Sequence, residues 1–399
     1  MSEVFTGNFT QQEPLPQASL DAAMAVLGHG RLHRYNLTPG ETGEVALLEQ
    51  EFAAFVGSKY CLATASGGSA IGLALRAVGV KPGDRVLTNA FTLAPVPGAI
   101  AALGAEPVFV EVTDGLVIDL DDLEAKAGQA EVLLLSHMRG HICDMGRLME
   151  ICDAANVTVV EDCAHTMGAT WEGVQSGRHG AVACYSTQTY KHMNSGEGGL
   201  LVTDDEDIAA KAVLLSGSYM LYERHTAAPG AEVFARHRME TPNISGRMDN
   251  LRAAILRPQL AELPRQIARW NERYRAVETG IRGTPGLTVV ERPEQESFVG
   301  SSIQFLLKDW SAGAVGEVLE RCLKRGVELK WFGGAEPVGF TSRYAHWRYA
   351  ASPELRQTDG VLSGLMDMRL PLTFSIADCE LIARIIRAEV GAVFQAREG

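Results

Sequence analysis

The chain has 399 residues, 46% of them hydrophobic and 21% charged, and a formal net charge of −13. That length suits one large domain with a smaller one, and the composition is that of a globular protein with a sizeable core. The acidity argues against nucleic acid or an anionic membrane surface as the main partner, because both call for a basic face.

The opening stretch, MSEVFTGNFTQQEPLPQ, has no basic run followed by an apolar one, so no signal peptide is expected. No segment approaches the roughly 20 apolar residues of a membrane span. The seven cysteines (Cys61, Cys143, Cys152, Cys163, Cys184, Cys322 and Cys379) are scattered and never form a CxxC pair. They read as reduced, mostly buried thiols of a cytoplasmic protein, with no metal site expected.

From Ser58 to about Val202 short apolar runs alternate with helical patterns. KYCLATA, DRVLTNA, AEPVFVEV, AEVLLLS, VTVVEDCA and AVACYS read as strands, each short and flanked by polar or glycine punctuation. Near-continuous apolar strands predict a largely parallel sheet buried on both faces by helices such as SAIGLALRAVG and MGRLMEICDAAN. The stretch Tyr219 to Asn243 lacks clear periodicity and reads as a loop or lid. Gly246 to Ile281 reads as a long helical region that Pro258 and Pro264 should kink or break. Beyond Gly286, the strands SSIQFLL and GVELKWF and the helices SAGAVGEVLERCLKRG and CELIARIIRAEVGAVF predict a smaller α+β domain.

Polar residues collect at the ends of the strands, where an open α/β sheet places ligands. The β-branched run from Val157 ends in Glu161 and Asp162, with His165 just beyond. Lys191 follows the next strand. Pyridoxal phosphate requires two such groups, a lysine amine for its aldehyde and a carboxylate for its pyridine nitrogen. Taken alone, a strand-ending Asp serves as often as a cap, and a lone Lys is usually a solvated charge. The turn TASGGSA, with Gly67, Gly68 and Ser69, closes a strand and opens a helix. Its small residues let backbone N–H groups approach a phosphate, although such turns also occur without one. Ser186 offers a hydroxyl to the same group, and the glycines of GEGG after Lys191 permit tight backbone turns.

With those residues in place, the chain resembles the DegT/StrS-type sugar aminotransferases, among the fold-type I pyridoxal-phosphate enzymes. The resemblance is carried by LEQEFAAFVGSKYCLATASGGSAIGLAL, GDRVLTNAFTLAPVPGAIAALGAEPVFVEV, VVEDCAHTMGA, YSTQTYKHMNSGEGGLLVTDD and GRMDNLRAAILRPQL. It implies that Lys191 is the Schiff-base lysine and that Asp162 partners the pyridine nitrogen. His165 would lie beside the cofactor's phenolic oxygen, or else be a hydrogen-bonded core histidine. Gly67, Gly68, Ser69 and Ser186 would hold the phosphate. Where the family has an asparagine that reaches the partner subunit's phosphate this chain has Ser245, with Asn243 two residues earlier, and either is a candidate. Where the family sets an aromatic ring over the cofactor this chain has Leu93, so Phe91 or an aliphatic side chain would cover that face.

In Ser136-His137-Met138-Arg139-Gly140-His141, Arg139 presents a planar fork suited to a carboxylate or phosphate, or to an ordinary ion pair. His137, Arg34, Tyr35 and Trp331, with Tyr222, Arg224 and Phe332, are further substrate candidates whose alternative is a structural role. The fold implied is a large domain (1–245) around a mainly parallel seven-stranded sheet, a connecting helical region (246–285) and a small α+β domain (286–399). The implied activity moves an amino group from glutamate or glutamine, by way of the pyridoxamine form, to a nucleotide-linked keto-sugar or a cyclitol. The HMRGH segment and Ser245 leave an acidic non-sugar carbonyl as the alternative. Dehydratases of the family replace the lysine with histidine, whereas here position 191 is Lys and position 192 is His. A non-catalytic regulator would carry an added DNA-binding domain. The resemblance also implies a homodimer with sites at the subunit interface.

Overall fold

A computed structural model describes residues 3–398. Two helices, α1 (Gln17–His29) and α2 (Glu44–Val56), precede the first strand. Strands and helices then alternate as β1 (Tyr60–Thr64), α3 (Gly67–Ala77), β2 (Arg85–Asn89), α4 (Pro95–Ala102), β3 (Glu106–Val110), α5 (Leu120–Lys126), β4 (Val132–Ser136), α6 (Met145–Ala154) and β5 (Thr158–Asp162). A ribbon of β6 (Thr170–Trp171) and β7 (Val174–Gln175) leads to β8 (Val182–Ser186) and β9 (Gly199–Thr203).

Seven of these strands form one sheet in the order β1-β9-β8-β5-β4-β2-β3. The pairs β2–β3, β2–β4, β4–β5 and β5–β8 are parallel, while β9 runs antiparallel to both β8 and β1. Successive residues face opposite layers, as the strand period of two requires. Leu134 and Val160 pack with α3 and α7 (Glu206–Ser216), whereas Leu133, Leu135 and Val159 pack with α6. The helices between strands begin at side chains that take the first free N–H groups: Ser66 for α3, Asp119 for α5, Asp144 for α6 and Asp205 for α7. The seventh strand, GLLVT, is an addition to the runs the sequence singled out.

The segment expected as a loop or lid contains a helix, α8 (Ala231–His237), whose Val233 and Phe234 are buried and whose Phe234 stacks on Tyr222 at 4.2 Å. Two adjacent apolar residues in one short turn leave no period to read, which is why the sequence looked structureless there. The long helix α9 (Asn250–Ile281) is continuous through Pro258 and Pro264. Contacts with α1, α2 and α12 (Ile376–Glu398) hold it, so packing overrides the two lost backbone bonds.

The remaining elements are β10 (Thr288–Val289), β11 (Glu296–Ser297), β12 (Ser302–Leu306), α10 (Ala312–Lys324), β13 (Lys330–Trp331), α11 (Arg356–Ser363) and β14 (Leu365–Arg369). A second sheet runs β10-β12-β14-β13, and β11 joins the ribbon beside the first. Of the expected strand GVELKWF only Lys330 and Trp331 pair, opposite Asp367 and Met366. The small sheet shares its core with the chain's beginning: Phe5 and Phe9 pack edge-on against Phe374, and Phe5 N–H bonds Arg325 O at 2.9 Å. A division at 245 and 285 therefore leaves out a strap that ties the first residues to the last third of the chain.

Candidate active site

The parallel strands deliver their carboxyl ends to one edge of the sheet. There β1 hands over to Ser66, β4 ends at Ser136, β5 at Asp162 and β8 at Ser186, with Ser136 opposite Asp162 in register. The antiparallel β9 starts from the same edge, so the chain from Thr187 to Gly198 must loop across it. Thr187 N–H to Gly198 O, Thr189 N–H to Gly196 O and Lys191 N–H to Gln188 O close that loop and place Lys191 over the sheet.

A cavity of about 480 Å³ opens at this edge, with Gly67, Gly68, Asp162, His165, Ser186 and Lys191 in its wall. Asp162 accepts hydrogen bonds from Ser136 Oγ at 3.0 Å and the Ala164 N–H at 3.1 Å. Burial raises its pKa, and the positive charge of Lys191 opposes that rise. Burial likewise lowers Lys191 to about 7, against the pull of Asp162 and assisted by the charges of Arg139 and Arg369. Lys191 Nζ lies 2.8 Å from His165 Nε2. Burial first, and then the charge of Lys191, holds His165 well below the usual histidine range, so its ring is neutral. The Arg139 N–H donates to Nδ1 at 3.3 Å, which assigns the ring proton to Nε2 and lets His165 donate to the Lys191 amine whenever that amine is unprotonated.

The N-terminus of α3 also borders the cavity. A Cβ at Gly67 would stand 2.8 Å from Ser186 Cβ, so only glycine lets the helix start this close to β8. At Gly68 nothing in the protein comes nearer than 3.9 Å, and the bare backbone borders the cavity. The first N–H groups of α3 and the Ser186 hydroxyl thus make an anion seat. Ser69 is bonded into the turn before the seat. Its N–H donates to Ser66 Oγ at 3.0 Å, the two hydroxyls lie 3.0 Å apart, and Ser69 serves the helix cap. Among the described residues, the cavity wall brings together a buried carboxylate with no cationic hydrogen-bond partner, a buried amine and an anion seat, which fit the donor set that pyridoxal phosphate requires.

Several residues singled out from sequence lie elsewhere. Phe91 is buried against Phe332, 5.1 Å between ring centres, and Leu93 borders the cavity in its place. Arg34 gives both terminal nitrogens to Glu49, at 2.8 and 2.9 Å, and Tyr35 Oη lies 2.7 Å from His225 Nε2. That buried network uses the groups a substrate would need. The Trp331 indole donates to Ser363 O, and Arg224 to Tyr35 O. His137 Nε2 lies 3.0 Å from Glu161, which also accepts from the N–H groups of Gly177, His179 and Gly180. That bonding explains the buried His137, Glu161 and Cys163 grouping without a metal. Asn243 and Ser245 are exposed, Asn243 Oδ1 accepting from the Ser245 N–H and Ser245 Oγ from Arg247, outside the cavity of this chain.

A second cavity of about 500 Å³ lies across Lys191, between the segment Glu13–Pro16 and α9, with His192 and Trp270 in its wall. Arg139, His165, Tyr190, Lys191 and Arg369 border both cavities. Arg139, read from sequence as a substrate fork or an ordinary ion pair, borders both cavities and lies 2.9 Å from Asp367. Tyr190, His192, Asp367 and Arg369 were not singled out, although LMDMRL carries its own signal: two charges two residues apart in an apolar strand share a face.

The model of the DegT/DnrJ/EryC1/StrS aminotransferase family matches residues 31–387. GDP-perosamine synthase of Caulobacter vibrioides is 33% identical over 223 residues, 55% of this chain and 57% of that protein. The dTDP-3-amino-3,4,6-trideoxy-alpha-D-glucose transaminase of Streptomyces venezuelae is 33% identical over 285 residues, 68% of this chain and 67% of its own. The matches cover 57%, 63% and 58% of the length of the first three curated relatives. The crystal structure of 3-amino-5-hydroxybenzoic acid synthase superposes with a TM-score of 0.82 at 24% identity, covering 98% of this chain and 100% of that one. At that identity the likeness is one of fold.

Proposed function

Because the chain belongs to the DegT/DnrJ/EryC1/StrS aminotransferase family, we propose that it is a pyridoxal-phosphate-dependent aminotransferase acting on a keto-sugar or cyclitol ketone, with glutamate or glutamine as amino donor. The observation that carries this reading is one cavity whose wall brings together the buried amine of Lys191, its pKa lowered to about 7 by burial, the buried carboxylate of Asp162 and the anion seat at Gly67, Gly68 and Ser186. The relatives' activities on nucleotide-linked amino sugars support the choice of acceptor.

When bound, the cofactor supplies an aromatic ring that accepts the electron pair left when a proton leaves the carbon bearing the amine. Asp162 would hold the ring nitrogen's proton, which would give its buried carboxylate a cationic hydrogen-bond partner. The N-terminus of α3 and Ser186 hold the phosphate. Lys191 accepts the proton from the donor's α-carbon and returns one to the acceptor's carbon, a role that needs an amine neutral near pH 7. His165 keeps Nζ in place through its Nε2–H.

The same reading makes the protein a cytoplasmic homodimer. Leu20, Met24 and Leu27 stand exposed on α1, and Tyr219, Met220 and Ile244 flank Ser245, as residues awaiting a partner subunit would. The seven cysteines are buried and unpaired, in keeping with a reducing compartment. The test is stoichiometric: wild-type protein given glutamate should release one equivalent of 2-oxoglutarate per cofactor without any acceptor. Lys191→Ala should release none within the same time. Full release by the lysine variant would sink the assignment.

A further inference from the structure

Two guanidinium groups flank Lys191, and one of them has no carboxylate. Arg139 follows β4 in a left-handed backbone conformation (φ 55°) and lies buried, its guanidinium 2.9 Å from Asp367 on β14. Asp367 is held from its other side by Gln304 Nε2 at 2.8 Å. The pair is close but poorly aligned, for Arg139 Nε and Asp367 Oδ2 both lack a hydrogen-bond partner. Arg369 ends the same strand and, among the described residues, makes no ion pair. Its guanidinium lies 3.8 Å over the Tyr190 ring and 5.5 Å from that of Phe340. Both arginines border the neck that joins the two cavities beside Lys191 and His165.

Of the two arginines, Arg139 thus has Asp367 beside it, while Arg369 has only aromatic rings against its guanidinium. Burial, and then the charge of Arg139, depresses Arg369, and the same surroundings bring Lys330 to about 8. Arg369 has no carboxylate in ion-pair contact among the described residues, and a planar fork in a half-desolvated neck suits a planar carboxylate. We propose that Arg369, backed by Arg139, is a specificity-determining residue that receives a substrate carboxylate in the neck beside Lys191. The clamp extends the aminotransferase reading, on which it rests, by adding a chemical class that neutral keto-sugars lack. The carboxylate comes from the amino donor or from an acidic carbonyl acceptor, and both present the same anion.

Calorimetric titrations of the cofactor-loaded protein separate these sources. Glutarate stands for the donor's skeleton and 3-oxocyclohexanecarboxylate for an acidic acceptor, with glutaramide and cyclohexanone as uncharged controls. Wild type should bind at least one carboxylate more tightly than its uncharged control. Arg369→Gln should weaken that binding by about tenfold or more, as loss of a charge-assisted pair requires. Loss for glutarate alone assigns the clamp to the donor, loss for the cyclic keto acid alone assigns it to the acceptor, and loss for both makes it common to the two. Unchanged affinity in Arg369→Gln, or a wild type that binds neither carboxylate, would overturn the proposal. Arg369→Lys keeps the charge without the fork and should bind several-fold more weakly than wild type, which preserves the test if glutamine lowers the thermal midpoint. The spectrum of the same wild-type sample is followed with glutamate. A protein unmoved by any amino donor that still binds carboxylate through Arg369 would lose the aminotransferase reading and keep the clamp.

Discussion

Lys191 sits where charge is disfavoured, and that has a measurable consequence for the cofactor-free protein. Its pKa falls from an ordinary 10.5 in the unfolded chain to about 7 in the fold. Between those values folding must expel a proton, so the lysine destabilises the fold. The cost is absent above the unfolded value, grows as pH falls towards 7, and is constant below it. At pH 8 it amounts to roughly 3 kcal/mol. Cofactor-free Lys191→Met is therefore expected to be more stable than wild type in urea at pH 8, with the gap falling to about 1 kcal/mol at pH 10 and closing only above about pH 11. A gap independent of pH would contradict the depressed pKa. For Asp162→Ala, rapid-mixing kinetics should show the rate with glutamate reduced by about 100-fold or more while the circular dichroism is unchanged. At this scale Lys191, Asp162 and Ser186 were legible because each ends or follows a strand at a fixed spacing. Ser69, Arg34 and Phe91 were not, because their partners Ser66, Glu49 and Phe332 decide where they point, and that is settled by packing.

Among the elements, α3 offers the sharpest contrast. A Cβ at position 67 meets Ser186 Cβ at 2.8 Å, whereas at position 68 it meets nothing nearer than 3.9 Å. Gly67→Ala should cost about 1–3 kcal/mol in urea denaturation by forcing α3 and β8 apart. Gly68→Ala should leave stability within about 0.5 kcal/mol and raise the dissociation constant for pyridoxal phosphate, because its methyl group enters the anion seat. Equal stability losses in the two variants would contradict the geometry. The parallel strands were legible from their apolar runs. Not legible was what depends on neighbours: α8 is held by one buried Val-Phe pair, and α9 runs through two prolines because three helices pack against it.

For the whole molecule, the first residues act on the last third of the chain. Phe5 and Phe9 fill the core beside Phe374, and the backbone of Phe5 approaches Gly326 so closely that a Cβ there would stand 1.8 Å from its carbonyl oxygen. Phe5→Ala is expected to lower stability by about 3 kcal/mol or more, read from urea denaturation. No sequence period links residues 5 and 374, so this strap was invisible before the fold was known. Phe9 also borders the second cavity, so the strap helps to shape the space beyond Lys191.

The central claim is that Lys191 bonds a pyridoxal cofactor which an amino donor then converts, and the most direct measurement is the absorbance spectrum of the cofactor-loaded protein before and after glutamate or glutamine. The account predicts a band at the border of the visible and ultraviolet that shifts on donor addition in wild type and is missing in Lys191→Ala. A wild type with no such band after pyridoxal phosphate is supplied, or a Lys191→Ala protein with the same band and the same shift, would contradict it.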